Sequence, residues 1–253
     1  MKDPIRYRQE IPLYYDKSAS EFRLDPYERY DSMVLRQSMI HLSNSLWDNY
    51  TGKGIQNYIQ DNWPRQIPND ILEIGCGVGR LIGDIAQKYP DSNCWGIDYS
   101  YQMLKRAKEA WVESKSFYLD GSKFGFGSNI HVGGKSIKNL NFGLAKCESL
   151  PFDDHSQDIV FSSFLLDRLE DPIQGLKEMK RILRKDGVLI VISPLNFGDS
   201  ANWSRFFPVQ KLKREVEDLG FTVSDWNNNL NVKEFLDRRG NCVSWNCVGM
   251  VLS

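Results

Sequence analysis

The alternation of apolar runs with amphipathic stretches, which begins at residue 70, constrains the fold of this 253-residue chain more than any other feature. Between the runs, apolar residues recur at helical spacing, as in YQMLKRAKEAW at 101–111. Strands that are apolar throughout and alternate with amphipathic helices are typical of a mainly parallel sheet covered on both faces. The pattern therefore predicts an α/β fold, with strands at DILEIG, NCWGID, LNFGLA, DIVFSSF and VLIVISP.

The two ends of the chain depart from this alternation. From Asp31 onward, apolar residues at helical spacing predict one helix, and a second helix is expected to end before Pro64. Near the other end, the short turn DRRGN joins the extended runs 221–230 and 242–252, where a parallel pair would need a longer crossover. This connection predicts an antiparallel last strand.

These segments suggest a single domain over residues 1–253, with 1–65 as an N-terminal helical cap or lid and 66–253 as the core. The core contains a Gly- and Ser-rich insertion at 118–138, YLDGSKFGFGSNIHVGGKSIK. This insertion is either a disordered loop or a hairpin lid, and its composition favours the loop.

Charge and cysteine content narrow the class of protein. The net charge is −1 and the isoelectric point is about 6.3, whereas non-specific nucleic-acid binders are usually basic. No stretch approaches the ~18–20 apolar residues that span a bilayer, and the N-terminal residues lack the apolar core of a secretory signal. The five cysteines form no CxxC pair and no Cys/His cluster. We therefore expect reduced thiols, no metal site, no membrane partner and a cytoplasmic location, and we find no clear signal for a nucleic-acid partner.

The stretch ILEIGCGVGR at 71–80 carries the clearest binding signal. In an open parallel sheet, ligands bind beyond the carboxyl ends of the strands, where this loop lies. Asp98 ends the next strand, and its carboxylate can accept hydrogen bonds from both hydroxyls of a ribose, whether of a dinucleotide or of another nucleoside.

The residue spacing within 71–80 indicates which of these two ligands, a dinucleotide or another nucleoside, the stretch favours. A dinucleotide fingerprint, G-x-G-x-x-G, requires glycine where this chain has Arg80. Glu73, inside the preceding strand, would repel a pyrophosphate but suits a ligand with an ammonium group. The pattern therefore favours a nucleoside that carries an amino acid.

Four segments in order resemble the class I S-adenosylmethionine (SAM)-dependent methyltransferases of the small-molecule branch. They are LEIGCGVGR, GIDYSYQMLKRAKE, AKCESLPFDDHSQDIVFSSFLLDRLEDP and LKEMKRILRKDGVLIVISP, and the similarity covers about residues 70–195. The resemblance implies a Rossmann-like sheet of seven strands with an antiparallel last strand. It also implies SAM as the methyl donor, S-adenosylhomocysteine as the product, and no metal.

The resemblance further implies roles for individual residues. Asp98 would hold the ribose, and Ser163 and Phe164 would approach the sulfonium. Lys146 stands where the family often has an aspartate that reads the adenine amino group, and a lysine cannot accept that hydrogen bond. The remaining positions would surround the methionine part (Glu73, Gly75, Cys76, Gly77, Gly79), flank the adenine (Tyr99, Met103), or lie at its edge (Cys147, Glu148).

For several other residues, the sequence is consistent with two different roles. Tyr15, with Tyr14, resembles the segment that closes over SAM, but it is equally consistent with simple packing. Asp167 occupies a position where the family frequently has a histidine; it either binds or deprotonates the acceptor, or pairs locally with Arg168. Three aromatic residues after the fifth strand form either an apolar wall for the substrate or part of the core: Trp203, Phe206 and Phe207.

The sequence thus predicts an enzyme that transfers a methyl group from SAM to a small molecule. The alternatives are a protein or RNA methyltransferase and a non-catalytic SAM-binding subunit. The identity of the acceptor does not follow from these residues.

Overall fold

The computed structural model describes residues 1–29, 31–44, 46, 50 and 52–253. The strands are β1 Arg6–Arg8, β2 Ile11–Leu13, β3 Asp70–Ile74, β4 Asn93–Asp98, β5 Phe117–Gly121, β6 Gly127–Val132, β7 Leu140–Leu144, β8 Gln157–Ser163, β9 Leu183–Ser193, β10 Val223–Phe235 and β11 Cys242–Leu252. The α-helices are α1 Ala19–Leu24, α2 Pro26–Arg29, α3 Asp31–Leu42, α4 Lys53–Asp61, α5 Arg80–Lys88, α6 Tyr101–Trp111, α7 Pro172–Ile182, α8 Ser200–Phe206 and α9 Gln210–Asp218. Across these ranges, no helix is both long enough and apolar enough to cross a bilayer.

Within the described residues, nine strands form one mixed sheet in the order β1-β2-β7-β4-β3-β8-β9-β11-β10. The pairs from β2 to β9 are parallel, whereas β11 is antiparallel to both β9 and β10. All seven predicted strands are present, and the antiparallel last strand is confirmed. The α/β fold class is therefore confirmed, with more strands than the seven expected.

Successive residues of the central strands enter two different apolar layers because side chains alternate across a strand. Ile71 of β3 packs in the same layer as Ile82 of α5, whereas Leu72 packs in the layer that contains Leu176 of α7 and Leu212 of α9. Burying each such side chain contributes about 1.5–3 kcal/mol. Helices consequently cover both faces, as the apolar runs predict.

The two additional strands correct the expectation of a purely helical cap over residues 1–65. Residues 6–13 form the antiparallel pair β1–β2, and β2 joins the sheet edge beside β7. All three residues of β2 are buried, and Tyr14 N–H donates to the Leu144 carbonyl at 2.8 Å. A three-residue strand is too short to show periodicity, which is why the sequence pattern missed it. The predicted helices appear as α3 and α4.

The expectation of a loop at 118–138 is wrong. Most of this segment belongs to the hairpin β5–β6, whose inward-facing Leu119, Ile130 and Val132 are buried together with Phe126. The hairpin packs beside Met39 of α3, since a Cβ placed on Gly121 would lie 2.6 Å from its sulfur. The apolar residues that hold it are spaced out by glycines and serines, which hides the alternation.

The pairing of β10 with β11 continues past the end of β9. β9 ends at Ser193, opposite Val248, but β10 and β11 remain paired from Leu230–Cys247 to Phe235–Cys242. Residues 230–247 therefore rise as a two-stranded ribbon, called the ribbon below, beyond the carboxyl edge of the parallel strands. That edge is where the glycine-rich stretch lies.

Candidate functional site

The glycine-rich turn between β3 and α5 adopts a conformation that only glycine accepts readily. Gly75, Gly77 and Gly79 have φ angles of 76°, 53° and 76°, in the left-handed region. The N–H groups of Gly75 and Cys76 both donate to the Ile97 carbonyl, at 2.8 and 3.0 Å. The turn is thus tied by its backbone to the end of β4.

The glycines differ in what lies beside them. A Cβ placed on Gly77 would meet no atom within 4 Å, whereas one on Gly79 would lie 2.9 Å from the Phe142 ring and 3.2 Å from the Ala107 methyl carbon. Gly77 therefore presents bare backbone to open space. Gly79 allows the loop to pack closely against the interior.

Glu73 is a buried carboxyl directly beneath this turn. It is 2% exposed, and its Oε2 accepts a hydrogen bond from Ile82 N–H in the first turn of α5 at 3.0 Å. Burial raises the pKa of Glu73 well above its usual range, and the nearby carboxylates of Asp98 and Asp84 raise it further. A cation placed beside Glu73 would stabilise its ionised form.

Asp98 supports the turn from the end of β4. Its Oδ2 accepts from Gly77 N–H at 2.7 Å and its Oδ1 accepts from Ser100 N–H at 2.8 Å. Burial raises the pKa of Asp98, and these two backbone hydrogen bonds oppose the rise. Each carboxylate oxygen keeps a lone pair for a further donor, such as a ligand hydroxyl.

These groups line a cavity of about 830 Å³ at the carboxyl edge of the sheet. This volume lies within the usual range for small-molecule sites, about 300–1,000 Å³. We call Glu73, the turn 75–79 and Asp98 the floor. The cavity brings together most of the predicted cofactor residues: Glu73, Gly75, Cys76, Gly77, Asp98, Tyr99, Met103, Cys147, Glu148, Ser163 and Phe164.

Three predicted site residues are not among those that line the cavity: Gly79, Tyr15 and Asp167. Asp167 is 6% exposed, its Oδ1 accepts from the Ser193 hydroxyl at 2.7 Å, and its Oδ2 lies 3.7 Å from Arg168 Nε. This placement speaks against the catalytic interpretation of Asp167 and supports the local, structural one.

Burial also raises the pKa of the Cys76 thiol well above its usual range, as expected for a small interior residue.

Tyr15 belongs to an N-terminal arm, residues 14–29, that lies beside the cavity. Its hydroxyl donates to Glu21 Oε1 at 2.6 Å, and Glu21 also pairs with Lys146 Nζ at 2.8 Å. Lys146 Nζ lies 4.8 Å from the centre of the Tyr15 ring and 5.6 Å from that of Tyr99. The lysine that departs from the family pattern thus fastens the arm next to Tyr99.

A second, more deeply buried cluster holds the same arm. Lys17 Nζ pairs with Asp25 at 2.6 Å and with Glu28 at 3.3 Å, and all three side chains are less than 10% exposed. Lys17 Nζ also lies 3.9 Å from the centre of the Tyr99 ring, and Glu28 accepts a hydrogen bond from the N–H of Tyr101 at the start of α6. Sequence reasoning missed this cluster because its members are isolated charges in a polar segment.

Beside the floor, α3 and the segment after it contribute polar groups that the sequence did not indicate. The His41 ring Nδ1 lies 2.8 Å from the Tyr50 hydroxyl, and the Arg80 guanidinium lies 4.4 Å from the centre of the Tyr50 ring. Burial, helped by Arg80 and Arg36, lowers the pKa of His41 to about 4. The imidazole is therefore neutral at pH 7.

The lining residues of α3 and the ribbon form what we call the outer wall. Arg36 of α3 pairs with Glu234 of the ribbon at 3.1 Å, and Trp245 Nε1 donates to the other Glu234 oxygen at 3.2 Å. Phe164, at the end of β8, makes an edge contact with Trp245 and has a φ of 56°, an unusual angle for a bulky residue. The outer wall comprises Met33, Arg36, Gln37, Ile40, His41, Val232, Lys233, Glu234 and Trp245.

The three aromatic residues after β9 do not line this cavity, so the structure does not bring them together with the predicted cofactor residues. Phe206 is 1% exposed and stacks on Phe197, with ring centres 5.1 Å apart. Trp203 and Phe207 contact each other on the surface. Phe206 is part of the core because α8 turns its side chain toward the sheet.

Comparison with known families extends the resemblance that the sequence segments indicate. Residues 72–191 match the family model described as a methyltransferase domain. This part of the chain is thus similar to methyltransferases, as the four sequence segments indicate.

Among curated sequences, the chain is 25% identical over 152 residues to an uncharacterized methyltransferase of Schizosaccharomyces pombe, covering 54% of this chain and 49% of that protein. It is 31% identical over 123 residues to the ubiquinone/menaquinone biosynthesis C-methyltransferase of Geotalea uraniireducens, covering 48% and 44%. The chain thus spans about half the length of the curated relatives it matches.

Solved structures share the fold at low identity. A putative methyltransferase of Haloferax volcanii, in complex with the Trm112 methyltransferase activator, superposes with a TM-score of 0.56 at 14% identity, covering 88% of this chain and 93% of that one. A SAM-dependent methyltransferase of Aquifex aeolicus superposes with a TM-score of 0.52 at 16% identity, covering 88% and 98%. At these identities the likeness establishes the fold alone.

Proposed function

We propose that this chain binds SAM on the floor of the cavity and transfers its methyl group to a nucleophilic atom of a small molecule. The observation that carries the proposal is the juxtaposition of Gly77, Glu73 and Asp98. The bare backbone of Gly77, the buried carboxyl of Glu73 and the half-buried carboxyl of Asp98 meet on the floor of an 830 Å³ cavity.

The residues present fit the chemical groups of SAM. Glu73 is a buried carboxyl that lacks a cationic partner among the described residues and matches an ammonium group. Asp98 retains acceptor capacity for ribose hydroxyls, and the open side of Gly77 lets a ligand approach the backbone. Tyr99 and Met103 offer an aromatic and a thioether surface to the adenine ring.

When bound, SAM supplies an electrophilic methyl group on a sulfonium. The chain's own task is then to align the acceptor with that methyl group and to exclude water. The N-terminal arm, α3 and the ribbon line the cavity together with the floor, and the Arg36–Glu234 ion pair joins α3 to the ribbon. An enclosure made by several elements supports a small acceptor over a folded macromolecule.

The cofactor part of the proposal is tested by calorimetry with SAM and S-adenosylhomocysteine. Asp98→Ala removes charge-assisted hydrogen bonds and should lower the affinity for both ligands at least about tenfold. The matched control is Asp91→Ala, an exposed aspartate that precedes β4 at the opposite end of the strand, and it should leave affinity unchanged. Absence of binding by the wild-type protein at millimolar ligand would contradict the proposal.

The acceptor part is tested by transfer of a tritiated methyl group from SAM. Small-molecule extracts, protein fractions and RNA fractions are assayed in parallel with wild-type protein and with Asp98→Ala. Label should appear in the small-molecule fraction and depend on Asp98. Label in protein or RNA would establish the macromolecular alternative, and SAM binding without any transfer would favour a non-catalytic subunit.

A further inference from the structure

The outer wall carries positive charge where the floor carries negative charge. The floor contributes the carboxyls of Glu73 and Asp98, whereas the outer wall contributes Arg36 and Lys233 against the single carboxylate of Glu234. Arg168, at the end of the 3-10 turn after β8, adds a further cation to the lining. The outer wall therefore carries one more cation than it has carboxylates, whereas both ionisable side chains of the floor are carboxyls.

The carboxylates near Arg36, Lys233 and Arg168 do not fully neutralise the positive charge of these three side chains. Glu234 is already shared, since one of its oxygens pairs with Arg36 and the other accepts from Trp245 Nε1. Lys233 makes no ion pair with any residue in the part of the chain that the structure describes. Arg168 lies 3.7 Å from Asp167, but the other oxygen of that carboxylate is engaged by the Ser193 hydroxyl.

Apolar side chains line the cavity together with these cations. Met33 and Ile40 lie on the same face of α3 as Arg36, at helical spacing, and Val232 precedes Lys233 on the ribbon. Phe164 and Trp245 add an aromatic corner. This wall suits a ligand whose body is apolar and whose charge is negative.

We infer that the methyl acceptor is an apolar or aromatic molecule with an anionic group, and that Arg36 recognises this group. The guanidinium, whose Nη2 now lies 3.1 Å from one Glu234 oxygen, can donate two parallel hydrogen bonds to a carboxylate or similar anion. An acceptor anion would replace Glu234 as the partner of Arg36, and Lys233 would compensate the released carboxylate. The inference rests on the proposed function, because it requires the cationic methyl donor to occupy the floor.

The test compares two probes of the same shape and different charge. Naphthalene-2-carboxylate and naphthalene-2-carboxamide are titrated into full-length protein saturated with S-adenosylhomocysteine. The carboxylate should bind about tenfold more tightly than the carboxamide, as expected for one charge-assisted recognition site. Equal affinities, or failure of both probes to bind, would overturn the inference.

Two variants separate recognition from simple support of the fold. Arg36→Gln should abolish the preference for the carboxylate and leave carboxamide affinity unchanged, whereas Glu234→Gln frees Arg36 and should preserve or increase the preference. If both variants lower the affinity for both probes equally, the Arg36–Glu234 ion pair only supports the fold and the inference is wrong. Arg6→Gln, an exposed arginine paired with Asp16 away from the cavity, is the control.

The same titrations distinguish the two proposals. Binding of S-adenosylhomocysteine without a carboxylate preference contradicts only the acceptor inference. Absence of S-adenosylhomocysteine binding to wild-type protein contradicts the proposed function itself.

Discussion

The floor of the cavity and the elements that cover it are built in different ways. Backbone groups hold the floor: the turn 75–79 hydrogen-bonds to Ile97, and Asp98 accepts from Gly77 N–H. Side-chain ion pairs hold the covering elements, as in Lys146–Glu21 of the arm and Arg36–Glu234 of the outer wall. A floor built from backbone groups requires particular glycines, whereas the covering elements depend on charged side chains that are remote from one another in the sequence.

The largest effect is expected from the buried cluster of the arm. Lys17→Met leaves the carboxylates of Asp25 and Glu28 buried without their cation, which typically costs about 3–5 kcal/mol. Urea unfolding should report this loss, or hydrogen exchange should show residues 14–29 released from the fold. Unchanged exchange and unchanged stability together would show that covering elements do not depend on this ion cluster.

A pair of glycine substitutions sharpens the description of the floor. Gly79→Ala combines an unfavourable positive φ with overlap against Phe142, and should lower the free energy of unfolding by about 2–4 kcal/mol. Gly77→Ala incurs only the φ cost, about 1–2 kcal/mol, but places a methyl group in the cavity. It should therefore reduce SAM affinity more than stability.

Urea unfolding without ligand and calorimetry with SAM measure the two effects separately. Equal stability losses in the two glycine variants would mean that the contact with Phe142 does not constrain the turn. Unchanged SAM affinity in Gly77→Ala would place the ligand elsewhere.

The pH dependence of stability tests the boundary between floor and outer wall. The pKa of His41 falls from 6.5 to about 4 on folding, so the unfolded chain binds the proton more tightly. Its contribution to stability is present above pH 6.5 and is lost as the pH falls toward 4, by up to about 2 kcal/mol between pH 7 and 5. His41→Gln should remove this part of the pH dependence in urea unfolding. If the stability of wild-type protein and of His41→Gln changed with pH in the same way, this assignment to His41 would be wrong.

The smallest effect is expected at the partly exposed pair of the arm. Lys146→Met breaks the bond to Glu21, and such pairs contribute about 0.2–1 kcal/mol. Stability should hardly change, while SAM affinity should fall a few-fold because the arm covers Tyr99 less firmly. A loss of stability as large as that of Lys17→Met would show that the Lys146–Glu21 pair and the Lys17 cluster hold the arm equally strongly.

The floor was predictable because its determinants are local. Glu73, the glycines and Asp98 lie at the ends of two neighbouring strands, and parallel strands place such ends at one edge of the sheet. The covering elements were not predictable, since Lys17 meets Tyr99 and Arg36 meets Glu234 only after distant segments fold together. The same reason explains Asp167: its position after β8 suggested access to the ligand, but the contact with Ser193 of β9 buries it.

The amino-acid sequence by itself determined the order of strands and helices, the antiparallel last strand and the glycine-rich turn, because periodicity and backbone conformation act over short distances. Tertiary structure alone decided that residues 6–13 extend the sheet, that most of the 118–138 segment is a hairpin, and that α3 and the ribbon line the cavity. These features depend on burial and on ion pairs between remote residues, which no local pattern records.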